Sequence, residues 1–284
     1  MKYSFIATEG IQDVAFVSKI LKELGFVRER YMRILENSLD NDADTKLDNR
    51  VLVSDFWKEK KLIPTSFPSG TDGNITEGVQ LPWLWNSKQM NMGVAVQGLG
   101  GVPHFFDRLG DNLNLIAPAE LFSVGIILDA DLDKSPTVRF NEFILGVRKK
   151  VPNIFDITET PGVVTGNNPK IGIFIFPNNV DIGTVEDLLL DCADEVYPNV
   201  KQHIEDFIDK NGEWFGDLEG KEKKEFQKPA GKQKLAVAGI SSVMKPGRAI
   251  QNTIEDCRWL CDKTMSINRV QVFVDFLKKL LDIQ

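Results

Sequence analysis

Cysteine and histidine are scarce in this chain. Its 284 residues include three cysteines (Cys192, Cys257 and Cys261) and two histidines (His104 and His203). So few thiols make no disulfide framework, and no Cys-x-x-Cys pair marks a zinc site. Histidines this far apart in sequence argue against a histidine metal centre or triad, which leaves carboxylates to carry any catalysis. Long apolar runs are absent too, none approaching the roughly 20 residues that span a bilayer. A Walker phosphate loop and the full dinucleotide fingerprint are missing, as are internal repeats and low-complexity tracts. A basic excess is lacking: the net charge is −7, from 34 Lys and Arg against 41 Asp and Glu. That balance argues against non-specific coating of nucleic acid, but not against a nuclease whose acidic metal site lies beside a local basic groove. Residues 1–10 have one basic residue and a short apolar core. They are expected to form the first strand of a cytoplasmic protein rather than a signal peptide.

What is present reads as α/β. Residues 3–8 form a strand closed by Glu9-Gly10, followed by a helix carrying Val14, Phe16, Val17, Ile20, Leu21 and Leu24 and stopped at Gly25. Strands follow at 92–97, 122–128 and 171–176. Helices are expected from His104 to about Leu109, from Ser135-Pro136 with a Phe140, Phe143, Ile144 and Val147 stripe, and after Gly183-Thr184 with Val185, Leu188 and Leu189. Strands alternating with helices predict a mostly parallel sheet with flanking helices. This core spans 1–198 and is interrupted by an insertion at 28–90 with its own partial structure, which includes the polar run 40–44 and the Pro- and Gly-punctuated stretch 64–82. Trp57, Trp83 and Trp85 in that insertion read as packing residues, or else as a base-stacking or partner-binding surface. A charged connection at 199–231, with a short helix near Ile204–Ile208, leads to a helical part at 232–284 expected to pack on the core. Basic residues gather late, at Lys221, Lys223, Lys224, Lys228, Lys232, Lys234, Lys245 and Arg248.

The chemistry gathers around Phe122–Asp133, an apolar run ending in Asp129, Asp131 and Asp133. Residues two apart on an extended chain share a side, so Asp129 and Asp131 would project together from a strand end. Close carboxylates raise each other's pKa unless a cation separates them, and hard divalent ions prefer oxygen ligands. A solvated turn is the other reading, and it suits Asp133 best. Ligands of open α/β sheets bind at the carboxyl ends of the strands. Glu9, the Gly98–Gly101 turn, Asp129 with Asp131, and Glu186 all fall at that edge.

In order and placement, Glu9-Gly10, Gly100-Gly101 and Asp129-Ala130-Asp131 resemble the TOPRIM domain shared by type IA topoisomerases, bacterial primases, RecR-type recombination proteins and OLD-family nucleases. The likeness covers roughly residues 1–27 and 91–195. Asp13 resembles the last position of the Glu-Gly-x-x-Asp pattern of small TOPRIM proteins and OLD-type nucleases. Gly183–Asp187 is similar to the extra acidic motif of that branch. The tyrosine-bearing arch of topoisomerases and the zinc cysteines of primases are absent.

The resemblance implies a Mg2+-dependent (or Mn2+-dependent) TOPRIM nuclease, with one or two ions held by Glu9, Asp13, Asp129, Asp131 and Glu186. Glu9, Asp129 and Asp131 would be catalytic together with a downstream lysine, Lys232 or Lys234. Within Gly183–Asp187 the other reading is a helix cap of Thr184 with Asp187, which explains Asp187 better than Glu186. Gly100, Gly101 and Lys245 would meet the substrate. The implied partners are DNA or RNA, a separate ATPase and a second copy of the chain, with no membrane, in a setting of defence against phage or mobile DNA. Two other functions compete. One is a RecR-like module that binds nucleic acid or a protein without cutting. The other is a phosphatase or phosphotransferase, disfavoured because a glutamate stands where that chemistry needs an aspartate nucleophile.

Overall fold

The computed structural model describes residues 1–29, 53–62, 81–101, 104–150, 160–166, 169–209 and 214–284. The polar run 40–44 and the stretch 64–78 lie outside the described residues. A sheet of seven strands has the order β2-β3-β4-β1-β5-β7-β6. Its parallel centre is β4 (Met92–Gly98), β1 (Lys2–Thr8), β5 (Ser123–Asp129) and β7 (Lys170–Phe176). Antiparallel strands close both sides: β3 (Trp83–Ser87) and β2 (Val27–Glu29) on one, β6 (Val164–Thr165) on the other. The α/β architecture read from the alternating pattern is therefore what the chain adopts.

Both faces of the sheet are covered, which explains why its central strands are almost continuously apolar. Along β7, Phe174 and Phe176 enter one core while Ile173 and Ile175 enter the other. The first core packs against α1 (Ile11–Glu23), α5 (Val185–Val196), α8 (Gly231–Met244), α9 (Ile250–Asp256), the short α10 (Asp262–Met265) and α11 (Asn268–Leu281). The second is covered by α2 (Val53–Glu59), α3 (Phe105–Ile116) and α4 (Pro136–Lys150). Helix α3 outruns its expected end at Leu109 because Leu113 and Ile116 continue the buried stripe. No helix among the described residues is long and apolar enough to cross a membrane.

Two organisational expectations change. Residues 199–231 are not merely a connection. They contain α6 (Pro198–Asp209), a 3-10 turn (Trp214–Asp217) and α7 (Gly220–Phe226). Helix α6 packs on α8, where Gly239 leaves room for Ile204: a Cβ there would lie 2.9 Å from the Ile204 Cγ2. The described ends of the 28–90 segment also join the main architecture. Strands β2 and β3 extend the sheet, and Trp57 and Trp85 are 0% and 4% exposed. Trp85 donates its Nε1 to the Ser18 Oγ at 3.0 Å, and Arg28 lies 3.6 Å over the Trp83 ring. These tryptophans pack.

The C-terminal helix α11 approaches β7 closely at Gly172, where a Cβ would stand 2.7 Å from the Phe276 ring and 3.1 Å from Val164. Overpacking of this kind costs about 1–3 kcal/mol. Gly172→Ala is thus expected to lower thermal stability measurably, and an unchanged melting temperature would show that α11 does not rest on the sheet in this way.

Candidate functional site

The carboxyl edge of the parallel strands gathers the acids from both sides of the sheet. Glu9 follows β1 and meets Arg139 of α4, whose Nη2 donates to Glu9 Oε1 at 2.5 Å. Arg139 Nε also donates to the Asp129 main-chain oxygen at 3.1 Å, so one guanidinium ties the ends of β1 and β5. The two side chains are 8% and 18% exposed. Burial pushes the Glu9 carboxyl above its usual range despite the opposing pull of Arg139, and Asp131 adds to the rise. Arg139 went unnoticed in the sequence, although it shares the helical spacing of Phe143 and Val147 and therefore the buried stripe of α4.

Asp13 and Asp129 are each anchored on a helix N-terminus. Asp13 Oδ2 accepts the Gly10 N–H at 2.7 Å, fulfilling the helix-start role open to it from sequence. It is nonetheless 5% exposed, and burial together with Glu9 and Glu186 pushes its carboxyl up to about 8. Asp129 Oδ1 accepts the Val185 N–H at 3.0 Å, so a carboxylate on β5 caps α5. Burial, then Asp13, Glu9 and Glu186, drive its pKa well above the ordinary value.

The Gly183–Asp187 motif divides as its chemistry suggests. Asp187 is consumed locally, accepting the Thr184 N–H at 2.8 Å. Glu186 is 3% exposed, and its Oε2 is buried with no hydrogen-bond partner. An orphaned buried carboxylate oxygen asks for an explanation.

Asp131 differs from its expected placement. The backbone leaves extended geometry there, with φ 65°, and its carbonyl accepts the Gly183 N–H at 2.9 Å. Strand alternation therefore ends before it. Asp131 is exposed at the rim, yet its charge bears on both Glu9 and Arg139. Asp133 is exposed as a turn residue.

The lysines separate clearly. Lys234, in the first turn of α8, is the one whose positive charge reaches Asp13. Lys232, two residues earlier, points elsewhere because such residues do not share a helix face, and it pairs with Asp209 at 3.7 Å. Lys245 does not belong to the site. It pairs with Asp256, which also feels Lys19 and Lys22 at the far end of α1. From Asp13 to Lys22 that helix rises about 14 Å. The Gly98–Gly101 turn does reach the site: Gly100 donates its N–H to the Glu9 carbonyl at 2.9 Å. Gly100 has φ +82°, and a Cβ there would lie 2.9 Å from Arg108 Nη1, while Gly101 faces open space.

The acids Glu9, Asp13, Asp129 and Glu186 thus press on one another in a nearly dry edge, with Arg139 and Lys234 as the facing cations. An all-oxygen donor set with an orphaned oxygen fits a hard divalent ion. As the chain stands, however, no group of three or more His, Cys, Asp or Glu side chains among the described residues is disposed to hold a metal. Glu9, Asp13 and Asp129 each give an oxygen to an N–H donor instead, so loading requires those carboxylates to turn. Replacing Arg139 by Met leaves the Glu9 charge buried without its partner. Losses for broken buried pairs run to about 3 kcal/mol or more. Arg139→Met should therefore lower the urea midpoint in chelator at mildly alkaline pH, and an unchanged midpoint would remove Arg139 from this role.

Fold and site together define an α/β protein with a carboxylate cluster at the carboxyl edge of a mostly parallel sheet. The chain belongs to the family described as "Protein of unknown function (DUF3226)", which matches residues 3–282. No curated protein matches it. Among solved structures, the hypothetical protein PH0156 from Pyrococcus horikoshii OT3 is similar with a TM-score of 0.49 at 13% identity, covering 99% of this chain and 97% of that one.

Proposed function

We propose that this chain is a divalent-metal-dependent nuclease of the TOPRIM kind, hydrolysing phosphodiester bonds of DNA or RNA. The observation that carries the reading is the gathering of buried Asp13 and Glu186 with half-buried Asp129 and Glu9, the Glu186 Oε2 being unsatisfied. Four carboxylates face two cations, Arg139 and Lys234, and the excess of negative charge is costly unless a further cation is its normal partner. Glu9, Asp13, Asp129 and Glu186 are the residues to hold Mg2+ or Mn2+, one ion or two, with Asp131 at the rim. Such an ion would supply Lewis-acid polarisation of the phosphate and ease deprotonation of the attacking water. Lys234 provides positive charge for the phosphate as negative charge builds on it, and the bare backbone of Gly101 permits a strand to come near. Lys232 and Lys245, occupied elsewhere, take no part.

A second reading has one observation in its favour. Arg139 already compensates Glu9, as it would in a TOPRIM module that binds nucleic acid or a protein partner without cutting. The test is an incubation of the purified chain with plasmid, single-stranded DNA and transfer RNA, in Mg2+, in Mn2+ and in chelator. Metal-dependent product is the expected result. Binding without product in either metal would replace the nuclease by the module.

A further inference from the structure

We infer that Arg108 is a phosphodiester-binding residue of this site, gripping the nucleic-acid backbone next to the bond that is cut. The inference rests on the nuclease or nucleic-acid-binding reading and adds to it a residue the motifs do not contain. Arg108 lies on α3, directly after the glycine turn. Its Nη1 donates to the Leu99 carbonyl at 2.8 Å, which holds the guanidinium against the turn. The turn is in turn fastened to the site: Leu99 and Gly100 donate their N–H groups to the carbonyls of Thr8 and Glu9 at 2.8 and 2.9 Å.

Gly100 accommodates this arrangement. With φ +82° it occupies backbone that side chains rarely adopt, and a Cβ would stand 2.9 Å from Arg108 Nη1. The glycine read from sequence as room for a substrate strand is, at Gly100, room for a guanidinium. Gly101 beside it remains exposed, with nothing near its missing Cβ.

What makes the arginine more than a brace is its charge. Arg139, the arginine on the other side of Glu9, is already paired with that carboxylate, as Arg28 is with Glu255 and Arg269 with Asp181 and Asp191. Among the described residues Arg108 has a carbonyl and no carboxylate. It is only half-buried, and its remaining N–H donors form a fork suited to phosphate oxygens. A chain of net charge −7 with an acidic cluster repels a polyanion. An uncompensated guanidinium at the rim of that cluster offers a phosphate its local attraction.

The test uses fluorescein-labelled single-stranded DNA, duplex DNA and single-stranded RNA of equal length. Binding is read by anisotropy against salt on an Asp129→Asn background, and cleavage on the otherwise native chain. Arg108→Gln should weaken binding about tenfold on every sequence and flatten the log–log salt slope by about 0.7–0.9, the share of one phosphate contact. Its KM should rise far more than its kcat falls. Arg108→Lys should recover most of the slope. If Arg108→Gln keeps the native slope and KM, the residue only braces Leu99 and the inference fails alone. If the native chain neither binds nor cuts any probe, the functional reading and the inference fall together. Binding without cutting, lost in Arg108→Gln, supports the inference within the non-catalytic module.

Discussion

Asp129→Ala is expected to reduce metal-dependent cleavage on the order of 10³-fold, the scale reached when a key electrostatic group is removed from an active site. The same residue has a second job that lets function be told from folding. Its Oδ1 caps α5 through the Val185 N–H at 3.0 Å, while its charge is opposed by Asp13, Glu9 and Glu186. Asparagine keeps an oxygen for the cap and discards the charge. Alanine discards both, and a lost cap costs about 1 kcal/mol. In chelator, Asp129→Asn should therefore be more stable than the native chain, with Asp129→Ala below Asp129→Asn. Both should be inactive in metal. Activity that follows charge, and stability that follows the hydrogen bond, is the signature of a carboxylate kept for binding a cation. Native cleavage rates in purified Asp129→Asn would refute the assignment of this residue. Asp133→Ala, in the exposed turn, is the matched control and should cut normally.

That division of roles shows why only part of the site was legible in the sequence. Strand ends are set by local pattern: apolar runs stop where acids begin, so Glu9, Asp129 and the sheet edge could be found by periodicity alone. The partners of those acids come from distant elements. Arg139 reaches Glu9 across 130 positions, and its only local sign was a charged residue on the Phe143 and Val147 stripe. Lys232 and Lys234 are equivalent in composition and became distinct only when α6 brought Asp209 to Lys232. Asp131 was misplaced for a different reason. The alternation argument holds while the backbone is extended, and at Asp131 it turns to positive φ. Residues 199–231 read as a connection because their charges conceal the apolar side of α6, where Ile208 is 3% exposed and Ile204 lies against Gly239.

Stability in chelator should fall as pH rises, and divalent metal should cancel that fall. The native chain holds protons on Glu9, Asp13 and Asp129 that the unfolded chain releases, because burial and mutual repulsion raise all three. For groups raised on folding, the stabilisation is complete below the unfolded pKa and disappears as pH climbs through the folded one. For Asp13 that window runs from 3.8 to about 8. The loss across it is on the order of a few kcal/mol, since each unit is worth about 1.4 kcal/mol. Asp181, Asp256 and Asp282 act in the opposite sense, being lowered by Arg269, Lys245 and Lys170. Their contribution is lost as pH falls, but they are exposed and weighted little. Mg2+ or Mn2+ competes with those protons, because its ligands must be deprotonated. Metal should thus change the melting temperature little near pH 6 and raise it most near pH 9. At about 100-fold over its dissociation constant it would contribute about 2.7 kcal/mol. Asp13→Asn, which retains an oxygen for the Gly10 N–H, should flatten the chelator curve and shrink the metal response together. A metal response that is equal at both pH values would separate ion binding from these carboxylates. A melting temperature in chelator that is constant from mildly acid to mildly alkaline pH would mean that their charges are already compensated within the chain.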